Sequence, residues 1–363
     1  MHLFRKRTAT DLAGRSLDRL ARRRFLRNPL AIVSLTVIGL FFVVALLGYL
    51  ITPDHTPYCN QQYLELATLK PFSKATFLCV DDPSLAAQRS SLFRRMAKGE
   101  PLPYTATPIK EYRYARDSII ATPYNGDPIV VAGTEAFVKE RRFWLGTDAY
   151  GRDVLSMLMI GSRVSFSVGF IAIVIALLLG ITLGALAAYY GGWVDNLILW
   201  LINVVWSIPT VLLVIAITFV LGKGFWQIFI AVGLTMWVDI ARVVRGEVLS
   251  IKEKEYIEAT RALGYSTFRT IFRHILPNIV GAVVVVAASN FASAILLEAG
   301  LSFLGIGVQP PMPSWGMMVK ENYGYILLDS AYLALLPGVA IMLVVLAFML
   351  LASALRDALD VRQ

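Results

Sequence analysis

The sequence predicts an all-α polytopic membrane protein: six transmembrane helices, with a large extracytoplasmic insertion between the first and the second. Three observations carry this. The 363 residues are 57% hydrophobic and only 16% charged, with a mean hydropathy of +0.63, far more apolar than an ordinary soluble domain. The apolar residues gather into runs that match the roughly 20 residues of helix a bilayer requires. The Lys and Arg residues behind the net charge of +9 cluster beside those runs, where they orient spans; nucleic-acid binding is discounted.

Residues 1–29 form a basic N-terminus, with Arg5, Lys6, Arg7, Arg15, Arg19, Arg22, Arg23, Arg24 and Arg27 against Asp11 and Asp18. The positive-inside rule keeps this end cytoplasmic. Residues 30–51 are an apolar run of about 22, long enough to span and too long for a signal-peptide core. Gly48-Tyr49-Leu50-Ile51 offers no small-residue cleavage site, so the run reads as an uncleaved first span.

Residues 52–144 contain no spanning run and lie outside if the first span begins inside. Turn-rich stretches such as Pro101-Leu102-Pro103 and Thr122-Pro123-Tyr124-Asn125-Gly126-Asp127-Pro128 predict a small irregular cap, with Ile129-Val130-Val131 as a short strand. Both cysteines, Cys59 and Cys79, fall here. An oxidising compartment permits a Cys59–Cys79 disulfide stabilising the loop by roughly 3 kcal/mol; two unpaired thiols are the alternative.

Residues 145–363 are predicted as a core of five further spans, near 164–188, 197–221, 225–243, 279–297 and 333–355. Six spans put both termini inside. The basic stretch from Arg242 to Arg273 and the terminal Arg356 and Arg362 agree, against a single Lys223 in an outer turn. Gly180 and Gly184 form a small-xxx-small pair for close helix approach. Asn203, Asp239, Asn290 and Glu298 are polar at membrane depth, candidates to line a path or to pair with neighbouring helices. No array of charges implies an ion relay.

The connection 244–276 is helix, glycine turn, helix. Tyr256, Ile257, Ala259, Ala262 and Leu263 supply one face, and Lys254, Glu255, Glu258 and Arg261 the other. Gly264 ends the helix at a position that takes the left-handed conformation. Phe268, Ile271, Phe272 and Ile275 then lead to Pro277, where the next span is expected to begin. The unit reads as a docking surface, with an ordinary interfacial helix as the alternative. A GxxxxGK[ST] loop is missing from the sequence, so this chain has no phosphate cradle for ATP. There is no HExxH or GxSxG, and the three histidines, His2, His55 and His274, are scattered, which argues against an enzyme.

At these residues the sequence resembles a known family. Glu258-Ala259-Thr260, then Gly264, then Leu276-Pro277 resemble the EAA loop of ABC-importer permeases, with Thr260 in place of the second Ala. His274-Ile275-Leu276-Pro277-Asn278 is similar to the variant in dipeptide, oligopeptide and nickel permeases. Trp144-Leu145-Gly146-Thr147-Asp148-Ala149-Tyr150-Gly151-Arg152-Asp153-Val154-Leu155-Ser156 resembles the WLGTDxxGRDxxS signature of the same group. Tyr189 to Asn196, Glu298 to Pro311 with Pro313-Ser314-Trp315-Gly316, and Leu355 to Asp360 are similar as well.

The resemblance implies a type I ABC-importer fold and a C-type permease subunit in a bacterial inner membrane. Its expected partners are a B-type permease subunit, two ATPase subunits (D- and F-type or a homodimer) carrying ATP and Mg, and an extracytoplasmic solute-binding protein. The chain itself is expected to bind no cofactor or metal and to catalyse nothing. Glu255, Tyr256, Glu258, Ala259, Arg261 and Gly264 are implied to couple the ATPase to the spans. Gly146, Thr147, Asp148, Gly151, Arg152 and Asp153 are read as a structural network of tight turns and ion pairs. Peptides are the expected cargo, with nickel complexes as the alternative. An ion-driven secondary transporter is the rival from another class; it would show paired broken helices, which the sequence does not suggest.

Overall fold

The computed structural model describes residues 21–82, 91–222 and 224–359, and of Arg261 the backbone only. Arg5 to Arg19, Lys223 and Arg362 of the charge argument lie outside the described residues. In chain order the elements are α1 (Pro29–Ile51), β1 (Ser73–Asp81), α2 (Leu92–Lys98), β2 (Tyr104–Ala115), β3 (Ser118–Pro123), β4 (Ile129–Ala132), β5 (Ala136–Phe143), α3 (Val154–Tyr190), α4 (Gly192–Ser207), α5 (Thr210–Leu221), α6 (Phe225–Lys252) and α7 (Glu255–Ala262). There follow α8 (Thr267–Phe303), α9 (Trp315–Asn322) and α10 (Tyr332–Leu359).

Among the described residues α1, α3, α6, α8 and α10 are long and apolar enough to cross a membrane, and α4 with α5 supplies a sixth span if the bent pair is one. That pair occupies the span read over 197–221, and it is bent, which the sequence reading did not anticipate. Its halves meet at 95°, because Pro209 lacks an amide and drives the preceding Ile208 into extended backbone (φ −94°, ψ 129°). The run of apolar side chains continues across the break, so hydropathy alone does not reveal it. A proline is handled differently in α8, which continues through Pro277 instead of starting after it. A π turn at Ile271–Ile275 precedes the proline, widening the helix where the ring crowds the preceding turn. Asn278 Nδ2 donates to the His274 carbonyl at 2.6 Å there.

The chain divides into two compact units. One comprises Leu40–Ser167 and Glu298–Ile341; the other comprises the described residues up to Gly39, Val168–Leu297 and those from Met342 onward.

In the first unit the predicted irregular cap is instead a five-stranded antiparallel sheet, ordered β4-β3-β2-β1-β5. The all-helical reading is corrected for residues 73–143. Only the strand at Ile129 was anticipated. The reason lies in β1, whose Phe77 and Cys79 face one core while Leu78 faces another. Leu66, Phe77, Cys79 and Phe143 pack on one side; Leu78, Ile109, Ile119, Ala121 and Ala136 pack on the other. A strand covered on both faces shows a continuous apolar run, here Phe77-Leu78-Cys79-Val80, and not the alternation that signals a half-buried strand.

The same packing corrects the disulfide. Cys59 and Cys79 are both free and buried: Cys79 is committed to the sheet core, and Cys59 Sγ donates to the Asp54 carbonyl at 3.1 Å. Burial pushes both thiols up, that of Cys79 from 9.0 to about 11. Since the folded state holds these protons more tightly, the contribution is complete below pH 9.0 and fades as pH rises toward 11. Maleimide labelling of the native protein at neutral pH should therefore miss both thiols and reach both after denaturation; rapid native labelling would contradict this burial.

In the second unit the small-xxx-small spacing does what it predicts. A Cβ on Gly180 would lie 2.6 Å from Ile240 Cβ, and one on Gly184 2.5 Å from the Ala241 carbonyl, so α3 and α6 approach along a stripe that only glycine fits. Two charged contacts flank it. Arg245 holds Asp195 through paired bonds of 2.6 and 2.7 Å, a planar fork on a carboxylate. Lys252 Nζ donates to the Ala188 and Tyr189 carbonyls at 3.0 and 2.7 Å, satisfying the C-terminal end of α3.

Candidate functional site

The segment after α6 is a short surface helix closed by a left-handed turn. Gly264 has φ +72° with nothing within 4 Å of a would-be Cβ, so its glycine is required by backbone conformation and not by crowding. The Tyr265 amide reaches back to the Thr260 carbonyl at 3.0 Å, the 6→1 bond of a Schellman ending. Ser266 then caps the next helix, its Oγ accepting from the Arg269 amide at 3.4 Å.

Of the apolar positions expected to form one face of α7, only Ile257 is fully buried, joined by Thr260 at 5% exposure. The Thr260 hydroxyl donates to the Ile257 carbonyl at 2.7 Å, which satisfies it in the small site that the family's alanine would fill. Tyr256, Ala259, Ala262 and Leu263 face outward beside Glu255 and Glu258. Phe268 and Phe272 are exposed too, their rings packed at a tilt with centroids 4.2 Å apart. Arg269 lies 4.2 Å over the Tyr265 ring, which stacks on His274 at 5.8 Å. The outward side of this segment thus carries Tyr256, Leu263, Phe268 and Phe272 among charges, the mixture found at protein–protein contacts.

A second cluster lies in the other unit, where Gly146 to Asp153 folds into a knot against residues 63–69. The Leu69 amide donates to Thr147 Oγ1 at 2.8 Å, the Thr147 hydroxyl donates to the Leu66 carbonyl, and the Thr147 amide bonds the Leu69 carbonyl at 3.1 Å. The amides of Thr68 and Tyr63 bond the carbonyls of Asp148 and Tyr150 at 2.9 and 3.1 Å. Gly146 and Gly151 have φ of +76° and +74°, and a Cβ on either would overlap the Leu69 or the Tyr63 carbonyl. These two glycines are required twice over, by conformation and by space.

Asp148 Oδ1 accepts from the Tyr150 and Arg152 amides, both at 2.9 Å, while its Oδ2 accepts from Arg152 Nε at 2.6 Å. Arg152 also bonds Glu321 on α9, a partner that the sequence reading missed. Burial works against the guanidinium charge, but the Asp148 and Glu321 carboxylates outweigh it and hold Arg152 above its ordinary value. Asp153 is not part of this ion network. It caps α3, accepting from the Ser156 amide at 2.9 Å and from the Ser156 hydroxyl. Burial raises its carboxyl despite those bonds. The cluster holds structure.

Each of the four residues proposed to line a path has its own local setting. Asn203 accepts from Arg242 at 3.2 Å, with Arg242 also 3.6 Å over the Trp206 ring. Asp239 is exposed. Asn290 donates to the Met236 carbonyl at 3.3 Å. Glu298, fully buried, accepts from Ser302 at 2.7 Å and from Ser165 at 3.4 Å.

Comparison with known proteins adds the family. Residues 180–363, half of the chain, match the profile of the binding-protein-dependent transport system inner membrane component. The chain belongs to this family of ABC-importer permeases. Residues 16–71 of the permease also match the N-terminal transmembrane domain of oligopeptide transport permease C. The permease is 41% identical over 217 residues to a glutathione transport system permease protein of Pectobacterium atrosepticum, covering 60% of this chain and 72% of that one. It is 43% identical over 217 residues to a dipeptide transport system permease protein of Alkalihalophilus pseudofirmus, covering 60% and 71%. Among solved structures, a chain of the inward-facing MetNI methionine ABC transporter aligns with 57% of the permease and 97% of itself, with a TM-score of 0.45 and 20% identity.

Proposed function

We propose that this permease carries short peptides inward as one of two permease subunits of an ABC importer. The observation that carries the cargo is the identity above 40% to a glutathione and a dipeptide permease, both named for short peptides. The segment around Glu258 docks on an ATPase subunit through its exposed Tyr256, Leu263, Phe268 and Phe272, and ATP with its magnesium is held there and not on this chain. Two ATPase subunits, a second permease subunit and a solute-binding protein complete the system. That segment and both chain ends face the cytoplasm, as the basic stretch from Arg242 to Arg273 favours, and the β sheet faces the opposite side. Closure of the ATPases on ATP moves α7, and the spans follow as rigid bodies.

The test is uptake of labelled dipeptides and tripeptides in cells that lack and then regain the permease, with a catalytically dead ATPase partner as the control. Uptake should return with the permease and vanish with the dead partner. Uptake indifferent to the ATPase, or restored for nickel ions and not for peptides, would overturn the assignment.

A further inference from the structure

Among the described residues, almost none packs against helix α2. Of its seven residues only Met96 is half-buried, and a helix that short does not persist in water on its own propensity. Its two large apolar side chains point away from the protein, Leu92 at 66% and Phe93 at 81% exposure. Arg94, Arg95 and Lys98 accompany them, with Arg95 paired to Glu100 at 2.8 Å.

What fixes the position of α2 is Arg163, on α3. Its Nε donates to the Ala45 carbonyl at 3.0 Å and its Nη1 to the Ala97 carbonyl at 2.9 Å. Its Nη2 donates to both Leu46 and Met96 carbonyls, at 3.1 and 2.6 Å. One nitrogen therefore holds a carbonyl of α1 and a carbonyl of the last turn of α2 side by side. The turn that follows is pinned as well, with the Glu100 amide on the His55 carbonyl at 2.9 Å.

Leu46 lies well inside α1, about 8 Å before its end at Ile51 given 1.5 Å per residue. A helix of 23 residues is about 34 Å long, against a hydrocarbon layer of about 30 Å. With α1 centred in that layer, the C-terminal turn of α2 stands beside Leu46 about 5 Å inside the edge of the hydrocarbon, within the depth an interfacial helix occupies. Water does not favour two exposed apolar side chains there, and cations flanking them fit lipid phosphates.

We infer that α2 lies in the membrane interface on the β-sheet side, with Leu92 and Phe93 in the acyl boundary and Arg94 and Lys98 at phospholipid phosphates. It forms a lipid-bound foot for the sheet unit.

The test uses the full permease, co-expressed with its partner subunits and reconstituted in phosphatidylcholine–phosphatidylglycerol nanodiscs. A nitroxide is placed by Phe93→Cys, and by Val130→Cys on β4 as a water-exposed reference; the buried native thiols are checked for silence on the parent chain. The ratio of oxygen to nickel-complex relaxation should be several-fold higher at position 93 than at position 130. Adding Arg94→Glu with Lys98→Glu should move the ratio at 93 toward that at 130, while the spectrum at 130, reporting the folded sheet, stays unchanged. A ratio at 93 equal to that at 130 would show water there. Protection from both reagents would show a protein cover, and either result overturns the lipid assignment.

Discussion

Replacing Arg152 by Ala should destabilise the sheet-bearing unit by about 3–5 kcal/mol, the cost of stranding buried carboxylates without their cation. Asp148 and Arg152 are only 3% and 8% exposed at their side chains, and Glu321 18%, so solvent does little to compensate. The expected readout is a clear fall in the unfolding temperature of the purified permease and reduced levels in the membrane. Arg152→Lys should recover part of the loss, since an ammonium restores charge but not the fork that spans both acids. Combining Arg152→Ala with Asp148→Asn and Glu321→Gln should be milder than Arg152→Ala alone, because the repelling charges go as well. A triple variant as unstable as the single one would mean that packing, not charge, dominates this site.

Glu258→Pro should abolish ATP-driven uptake while leaving the chain in the membrane. The Glu258 amide donates to the Lys254 carbonyl at 3.3 Å, and proline both removes that bond and clashes with the preceding turn, costing about 3 kcal/mol or more. An eight-residue helix cannot absorb this and remain helical, so the outward set of Tyr256, Ala259 and Leu263 scatters. Glu258→Ala leaves the backbone alone and, at an exposed position, should cost the fold less than about 0.5 kcal/mol; any transport defect there reports the lost contact itself. Measured side by side, uptake and stimulated ATP hydrolysis should fall together in the proline variant, with the membrane level of the chain unchanged. Wild-type uptake by Glu258→Pro would remove this helix from the coupling route.

Local chemistry makes several features legible in the sequence alone. Gly264, Gly146 and Gly151 were readable because a turn needs a residue without a side chain at a fixed place in a short motif, and all three take positive φ. Asp148 and Arg152 were readable as a pair because they are four residues apart. Glu321 was not, since 169 residues separate it from Arg152, and nothing in either neighbourhood encodes the meeting. Arg163 was missed for a related reason: its partners are backbone carbonyls, which every residue has. Asp153 was placed in the right motif with the wrong task, because an acid just before a helix serves equally well as ion-pair partner or cap. The sheet was hidden by β1's two-sided burial, and the bend at Pro209 by the even hydropathy on either side. In α7 the outward apolar residues broke the expected face.

The knot between residues 63–69 and Gly146–Asp153 has a mechanical meaning. A hinge needs a few residues free to change φ and ψ, yet here the two glycines with the freedom to swing are wedged against the Leu69 and Tyr63 carbonyls, and Asp153 fastens the first turn of α3. The joint between the sheet's underside and α3 is therefore stiff. A force applied to the sheet reaches the start of that helix as torque, with no compliant segment in between to dissipate it.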